Sequence, residues 1–391
     1  MSSASAFLPL WKRAAEWERR LAMIREARAF LYLSTFYIEY DEYAIELVSA
    51  LMQARARGVE VNLLIDAFGQ KLGGIVMTRA QVASLHAALD RLRAAGATVS
   101  WYRPRHLTQR LVGAGQHVKI QVSDAGEAIF ASGNITKSSF EGWNEYAVAV
   151  RGPIVRTLLE SYRLIGGTVE EAHLVHLDQI VAHASATRAG DDAGDLALDY
   201  WFANPTTSQG VRGPFGWSGP NAVTDQLVAM LDAARVSACI TSFYFKPVPM
   251  LMDAVLRAAR RGVRVEVFHS HRDALATTDL AWIAAAVNYD RLLDAGVVIY
   301  ENRHGEHSKI VVVDGSWAAF GSYNFEDAAH DRLGELMLAS RDPRAVTPVR
   351  AIVAGLRLDP DNEVVTADSF RRMPARVAAR VARYGRFKWW M

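Results

Sequence analysis

The stretch His117-Val-Lys119-Ile-Gln-Val-Ser-Asp124 returns as His307-Ser-Lys309-Ile-Val-Val-Val-Asp314, and this repeat constrains the fold more than any other feature. Asn134 and Glu145 follow the first copy; Asn324 and Glu335 follow the second. His307 lies 190 residues after His117, and the Lys, Asp, Asn and Glu pairs keep that separation. Five polar residues in one register mark an internal repeat, so the chain should fold as two similar halves. A lone His-x-Lys is common in any protein; two copies in register, each with its Asn and Glu, are not coincidence.

Each copy reads as a strand, and side chains two apart on a strand share a face. His117 therefore joins Lys119, and His307 joins Lys309. Asp124-Ala-Gly-Glu127 and Asp314-Gly-Ser-Trp317 predict two-residue hairpin turns. Pairing Asp124 with Glu127 would set His117 opposite Asn134, and the same pairing would set His307 opposite Asn324. Glu145 and Glu335 arrive from a following segment and are expected to orient the imidazoles.

Such a set suits phosphodiester chemistry. Imidazole serves as nucleophile or as general acid and base near neutral pH. Lys119 and Lys309 are point charges for phosphate oxygens, and Asn134 and Asn324 add neutral donors. One histidine can attack phosphorus while the other protonates the leaving oxygen. The lysines supply the positive charge, so the scheme needs no metal and no cofactor. Asp124 and Asp314 complete the candidate catalytic set, with bracing of the hairpins as their expected part.

The repeated motif resembles the HKD motif of the phospholipase D superfamily, and the chain is most similar to its bacterial cardiolipin synthase-like members. Further blocks carry the resemblance: Leu63-Leu-Ile-Asp-Ala-Phe-Gly69, Trp143-Asn-Glu-Tyr-Ala-Val-Ala-Val-Arg-Gly-Pro-Ile-Val155, Thr241-Ser-Phe-Tyr-Phe-Lys-Pro247 and Phe320-Gly-Ser-Tyr-Asn324. Two segments depart from the family pattern: Ser132-Gly-Asn134, and Phe325-Glu-Asp-Ala-Ala-His-Asp331. The resemblance implies a phosphohistidine intermediate formed on His117, with His307 as acid and then base. It also implies phosphatidyl transfer or hydrolysis at a phospholipid, with a nuclease of the same superfamily as the alternative.

The expected class is α/β: two phospholipase D-like halves with mixed, mainly parallel sheets flanked by helices, in pseudo-twofold arrangement around one shared active site. The first half should span 1–172, a turn-rich linker 173–222, the second half 223–360 and a basic tail 361–391. The predicted first-half elements are a helix over 8–28, a strand over 29–37, a helix over 41–57 ended by Gly58, a strand over 59–65, a helix over 79–95 and a strand over 98–101. Arg57-Gly-Val59 answers Arg261-Gly-Val263, and Ser34-Thr-Phe-Tyr37 answers Thr241-Ser-Phe-Tyr244. The loop from Tyr102 to Gln116 is longer than its second-half counterpart and is expected at the site mouth. Glu306, immediately before His307, is placed to act on it electrostatically.

A formal net charge of +2 offers nucleic acid no strong field. The single cysteine, Cys239, excludes an intrachain disulfide and fits a reducing compartment. No run of 18 apolar residues appears, and the N-terminal residues do not read as a secretory signal. His173 and His176 have helical spacing but no third ligand, so no metal is expected there; His269, His271 and His304 read as structural or site-rim groups. Residues 371–391 carry Arg371, Arg372, Arg376, Arg380, Arg383, Arg386 and Lys388, no acidic residue, and end Trp389-Trp390-Met391. That tail predicts docking on an anionic membrane surface, with Val377, Val381 and Tyr384 on the apolar face of a helix. The expected partner is a phospholipid, anionic, and the expected location is cytoplasmic, peripheral at the inner face of the membrane.

Overall fold

The computed structural model describes residues 2–11, 13–187, 194–208, 219–275 and 279–385. The chain divides into two compact units. One comprises Met1–Arg105 with Gly113–Tyr200, and the other His106–Val112 with Trp201–Met391.

The first unit is built on seven strands: β1 (Ala6–Leu10), β2 (Phe30–Thr35), β3 (Glu60–Asp66), β4 (Thr98–Tyr102), β5 (Lys119–Ser123), β6 (Glu127–Ala131) and β7 (Ala147–Arg151). Their order across the sheet is β1-β7-β6-β5-β2-β3-β4. The second unit repeats it with β8 (Ser237–Thr241), β9 (Arg264–Ser270), β10 (Val298–Asn302), β11 (Ile310–Val313), β12 (Trp317–Gly321), β13 (Leu333–Ser340) and β14 (Asn362–Val365). There the order is β13-β12-β11-β8-β9-β10-β14. Six strands thus correspond one to one; β1 extends the first set beyond β7, and β14 extends the second beyond β10.

The α/β class stands, but parallel pairing is confined to β2-β3-β4 and β8-β9-β10. All other pairings within these two sets are antiparallel. The reason is local. Helical crossovers supply the parallel strands, whereas each motif hairpin and its return strand fold back directly.

Helices form where the apolar spacing and caps agree. Helix α1 (Arg13–Glu26) buries Trp17, Leu21 and Ile24. The expected helix over 8–28 starts late, because residues 6–10 pair with Ala147–Arg151 instead. Pro9 is tolerated there because β1 lies at a sheet edge. Helix α2 (Glu42–Ala56) is capped by Asp41, which accepts the N–H of Tyr43 and Ala44. Helix α3 (Ala67–Val76) was not expected; its glycines disguise it. Helix α4 (Arg79–Ala94) opens on a capping box of Thr78 and Gln81.

These elements enclose a core in each unit. In the first, Ile24, Leu31, Leu47, Leu51, Val61 and Leu89 are at most 1% exposed. In the second, Leu227, Ile240, Val255, Val267, Ile299 and Val311 play the same part. Helix α5 (Glu171–Thr187) lies in what the sequence suggests is linker, yet it packs on its own unit. His173 stacks on Phe30 with ring centroids 4.1 Å apart and bonds Tyr32 Oη at 2.8 Å. His176 Nε2 meets the carbonyl of Asp124 at 2.9 Å. The turn-rich residues 209–214, with Phe215 and Trp217 after them, lie outside the described residues.

Candidate active site

The His-x-Lys segments are seated by hydroxyls on the strand beside them. Ser34 Oγ donates to the carbonyl of Val118 at 2.9 Å and accepts the N–H of Ile120 at 3.2 Å. In the second unit Thr241 Oγ1 accepts the N–H of Ile310 at 2.9 Å and bonds Ser308 Oγ at 2.8 Å. A hydroxyl inserted there satisfies backbone groups that the ladder leaves open, because the paired region starts only at Lys119 and Ile310.

Lys119 and Lys309 are each 1% exposed. Lys119 Nζ donates to the carbonyl of His117 at 2.8 Å, and Lys309 Nζ donates to that of His307. Each imidazole stands edge-on to a phenylalanine. His117 meets Phe36 at 4.8 Å between centroids, and His307 meets Phe243 at 4.5 Å. Lys119 Nζ lies 5.6 Å from the Phe36 centroid, so one ring backs both groups. His117 is 4% and His307 5% exposed.

The hairpin register differs from the expectation. Ser123 pairs with Glu127 and Lys119 with Ala131; Val313 pairs with Trp317 and Ile310 with Phe320. The turns therefore hold three residues, Asp124-Ala-Gly126 and Asp314-Gly-Ser316. Gly126 has φ +68, and in the second turn Asp314 and Gly315 have φ +52 and +60. A three-residue loop with a left-handed position is a favoured hairpin closure. The shift means that His117 and Asn134 are not cross-strand partners, nor are His307 and Asn324.

Asn134 and Asn324 are instead brought in by the loops after β6 and β12. Both are nearly enclosed, at 1% and 4% exposed. Their Oδ1 atoms are buried without a hydrogen-bond partner. Asn134 bonds Tyr37, the neighbour of Phe36, and Asn324 Nδ2 donates to Glu326 Oε1 at 3.1 Å. Both unpartnered atoms are acceptors, so a donor is what each position lacks, and only the Nδ2 groups can donate to an anion.

Glu145 and Glu335 are 1% and 0% exposed. Ser132 Oγ donates to Glu145 Oε2 at 2.5 Å, and Ser322 Oγ donates to Glu335 Oε2. The same hydroxyls accept the N–H of Tyr146 and of Leu336, at 2.9 and 3.0 Å. Sequence reasoning missed these serines, although they too are 190 residues apart. Asp124 and Asp314 sit at the turn end of their strands, away from the His-x-Lys end. Asp124 accepts the N–H of Arg28 and Ala29; Asp314 accepts those of Arg235, Val236 and Ser237. Burial opposes ionisation of Asp314, yet these donors hold its carboxyl below the usual range.

Other candidates fall outside the set. His269 is buried, and burial depresses its pKa; it bonds Tyr289 Oη at 2.6 Å, and Trp282 donates to Glu301 at 2.6 Å in the same cluster. His271 Nδ1 accepts the N–H of Asp273, and exposed His304 meets Asp361 at 3.1 Å. Among the described residues no group of three or more His, Cys, Asp and Glu could hold a metal ion. Cys239 is buried, and burial pushes its thiol up.

The family described as "cardiolipin synthase, PLD-like domain" matches residues 21–163 and 227–356, one span over each motif. The chain belongs to this phospholipase D-like family. It is 25% identical over 325 residues to cardiolipin synthase B of Salmonella typhi, covering 78% of this chain and 68% of that one. It is 26% identical to cardiolipin synthase B of Escherichia coli K12 over the same shares. Cardiolipin synthase of Geobacillus kaustophilus is 28% identical over 320 residues, which cover 78% of this chain and 57% of that protein. Among solved structures, phosphatidylserine synthase of Haemophilus influenzae Rd KW20 shares the fold, with a TM-score of 0.71 at 15% identity over 99% of this chain and 95% of its own. Polyphosphate kinase of Porphyromonas gingivalis gives a TM-score of 0.56 at 12% identity, over 98% of this chain and 53% of that one.

Proposed function

We propose that the protein transfers phosphatidyl groups between alcohols, as a cardiolipin synthase-like enzyme, through a phosphohistidine. The observation that carries this reading is the same His, Lys, Asn and Glu set, built twice, with the same local bonds at each Lys and each Glu. His117 attacks phosphorus; a nitrogen–phosphorus bond forms while the phosphorus–oxygen bond to the leaving alcohol breaks. His307 gives its proton to that alcohol. The acceptor alcohol then loses its proton to His307, its oxygen attacks phosphorus, and the bond to His117 breaks. Lys119 and Lys309, with the Nδ2 groups of Asn134 and Asn324, stabilise the phosphoryl oxygens as charge builds. Glu145 and Glu335 hold the imidazoles in place, and Asp124 and Asp314 hold the hairpins.

A phospholipid substrate is supported by the relatives' names and by surface chemistry. No described helix is long and apolar enough to cross a membrane. Helix α3 nevertheless exposes Leu72, Ile75 and Val76 beside Lys71. Arg371, Arg372, Arg376, Arg380 and Arg383 form an exposed basic face near the C-terminus. Both features suit peripheral contact with an anionic bilayer at its inner face.

Lipid mass spectrometry after incubation with phosphatidylglycerol vesicles in EDTA tests the reading. Cardiolipin with released glycerol is the expected product. Phosphatidic acid alone would make the protein a hydrolase, and absence of both products would overturn the lipid assignment. His117→Asn and His307→Asn should each lower turnover by at least about a thousandfold, since each removes a group that forms or breaks a bond.

A further inference from the structure

The two halves differ beside each histidine, and a second difference offsets the first. Gln116 precedes His117, whereas Glu306 precedes His307. The two side chains fold alike. Gln116 Oε1 accepts the N–H of Val118 at 2.9 Å, and Glu306 Oε1 accepts the N–H of Ser308 at 3.0 Å. Their backbones are held alike as well. The N–H of Gln116 donates to Asp66 Oδ2 at 2.9 Å, and that of Glu306 donates to Ser270 Oγ at 3.0 Å.

Asp66 and Ser270 are the last residues of the equivalent strands β3 and β9. In the first half, then, the acid ends the strand and an amide precedes the histidine. In the second half the acid precedes the histidine and a hydroxyl ends the strand. Each bonded pair holds one carboxyl, and both carboxyls are enclosed: Asp66 is 0% and Glu306 1% exposed.

The lysines explain why an acid is kept. An ammonium taken out of water is costly unless an opposite charge accompanies it. Burial raises the Asp66 pKa to about 7, and the backbone N–H donors and then Lys119 pull the other way, toward the ionised form. Asp66 also accepts the N–H of Gly69 at 2.7 Å, tying helix α3 to the same point. The chain leading to His117 runs so close that a Cβ on Gly115 would stand 2.6 Å from Asp66 Oδ2.

We infer that Asp66 and Glu306 are equivalent positioning residues, each supplying the acid of its bonded pair that seats its half's His-x-Lys segment and helps balance its lysine, and that this acid works from either partner of the pair. The inference rests on the two His-x-Lys sets being the reacting groups. Turnover of phosphatidylglycerol vesicles and thermal midpoints should be measured for Asp66→Asn, Asp66→Ser, the double variant Asp66→Ser/Gln116→Glu and the reciprocal Ser270→Asp/Glu306→Gln. Asp66→Asn keeps the shape but has one acceptor for the two N–H groups of Gly69 and Gln116; it should lower the midpoint modestly and, where it is folded, lose at least tenfold in kcat, with KM changed less than threefold. The Asp66→Ser/Gln116→Glu double should regain at least tenfold over Asp66→Ser. A folded Asp66→Asn with full kcat, or a folded double with no recovery, would overturn the inference. If Asp66→Ser does not fold, Glu306→Gln against Ser270→Asp/Glu306→Gln makes the same comparison. His117→Asn separates the two ideas: full activity there removes the underlying reading, whereas an inactive His117→Asn beside an unrescued double removes only this inference.

Discussion

Lys119 and Lys309 are long cations at 1% exposure, which unpaired ammoniums do not tolerate. Their Nζ atoms fold back on the histidine carbonyls, so each ammonium is aimed by its own motif. Asp66 is the acid beside Lys119, and its titration is measurable. Burial raises its pKa from 3.8 to about 7, against the pull of backbone donors and Lys119. The folded protein therefore binds a proton at Asp66 that the unfolded chain has lost, over roughly pH 4 to 7. The contribution is full below pH 4 and fades as pH rises through 7. Chemical denaturation across that range should show wild-type stability falling more steeply with pH than that of Asp66→Asn. Equal slopes would refute the shift. The motif aspartates answer to a different measurement. Asp314 accepts three backbone N–H groups at a left-handed φ of +52. Asp314→Ala should cost about 1–2 kcal/mol of stability, as lost hydrogen bonds to a charged group and added strain imply. At a temperature where the variant is folded, its kcat should stay within about threefold of wild type. A thousandfold loss there would make Asp314 a reacting group instead of a brace.

At the scale of elements, the C-terminal helix (Ala375–Tyr384) joins two roles that the sequence shows on opposite faces. Val377, Val381 and Tyr384, the stripe expected to face lipid, pack against the second unit's own core. The arginines remain outside, with Arg380 paired to Asp279. Trp389 and Trp390 lie beyond the described residues. Membrane contact by this helix should therefore be electrostatic. Replacing Arg371, Arg376 and Arg383 together by Gln should weaken binding to anionic vesicles by about a hundredfold at low salt, at about 1 kcal/mol per cation, and leave the thermal midpoint unchanged. Val381→Asp should do the reverse, lowering the midpoint while sparing vesicle affinity in the folded protein. Vesicle co-sedimentation and calorimetry separate the two. The motif hairpins carry a similar lesson: turn residues announced a hairpin, but a left-handed glycine lengthened it by one residue and moved every pairing.

At the scale of the whole chain, two units share a six-strand order and two matches to one family span them. A net charge of +2 gives little overall attraction to nucleic acid. Single-stranded DNA at a phosphate concentration equal to that of lipid should leave phosphatidylglycerol turnover within twofold. A tenfold inhibition would point to nucleic acid as a competing substrate. The repeat, the α/β class and most first-half helices were legible from spacing, since periodicity and polar motifs are local properties, and the family was legible from the resemblance of the repeated motif and its neighbouring blocks to known ones. Helix α3 was not, because Gly69, Gly73 and Gly74 break its propensity and tertiary contacts restore it. Strand β1 was missed because its partner, β7, is distant in sequence. Covalent order alone dictates which polar groups recur and at what separation, and no contact between distant residues is needed to see it. The folded structure decided the rest. Hairpin register, the phenylalanine behind each imidazole, the serine on each glutamate and the exchange of acid between Asp66 and Glu306 all depend on which distant backbone groups need a partner once water is excluded.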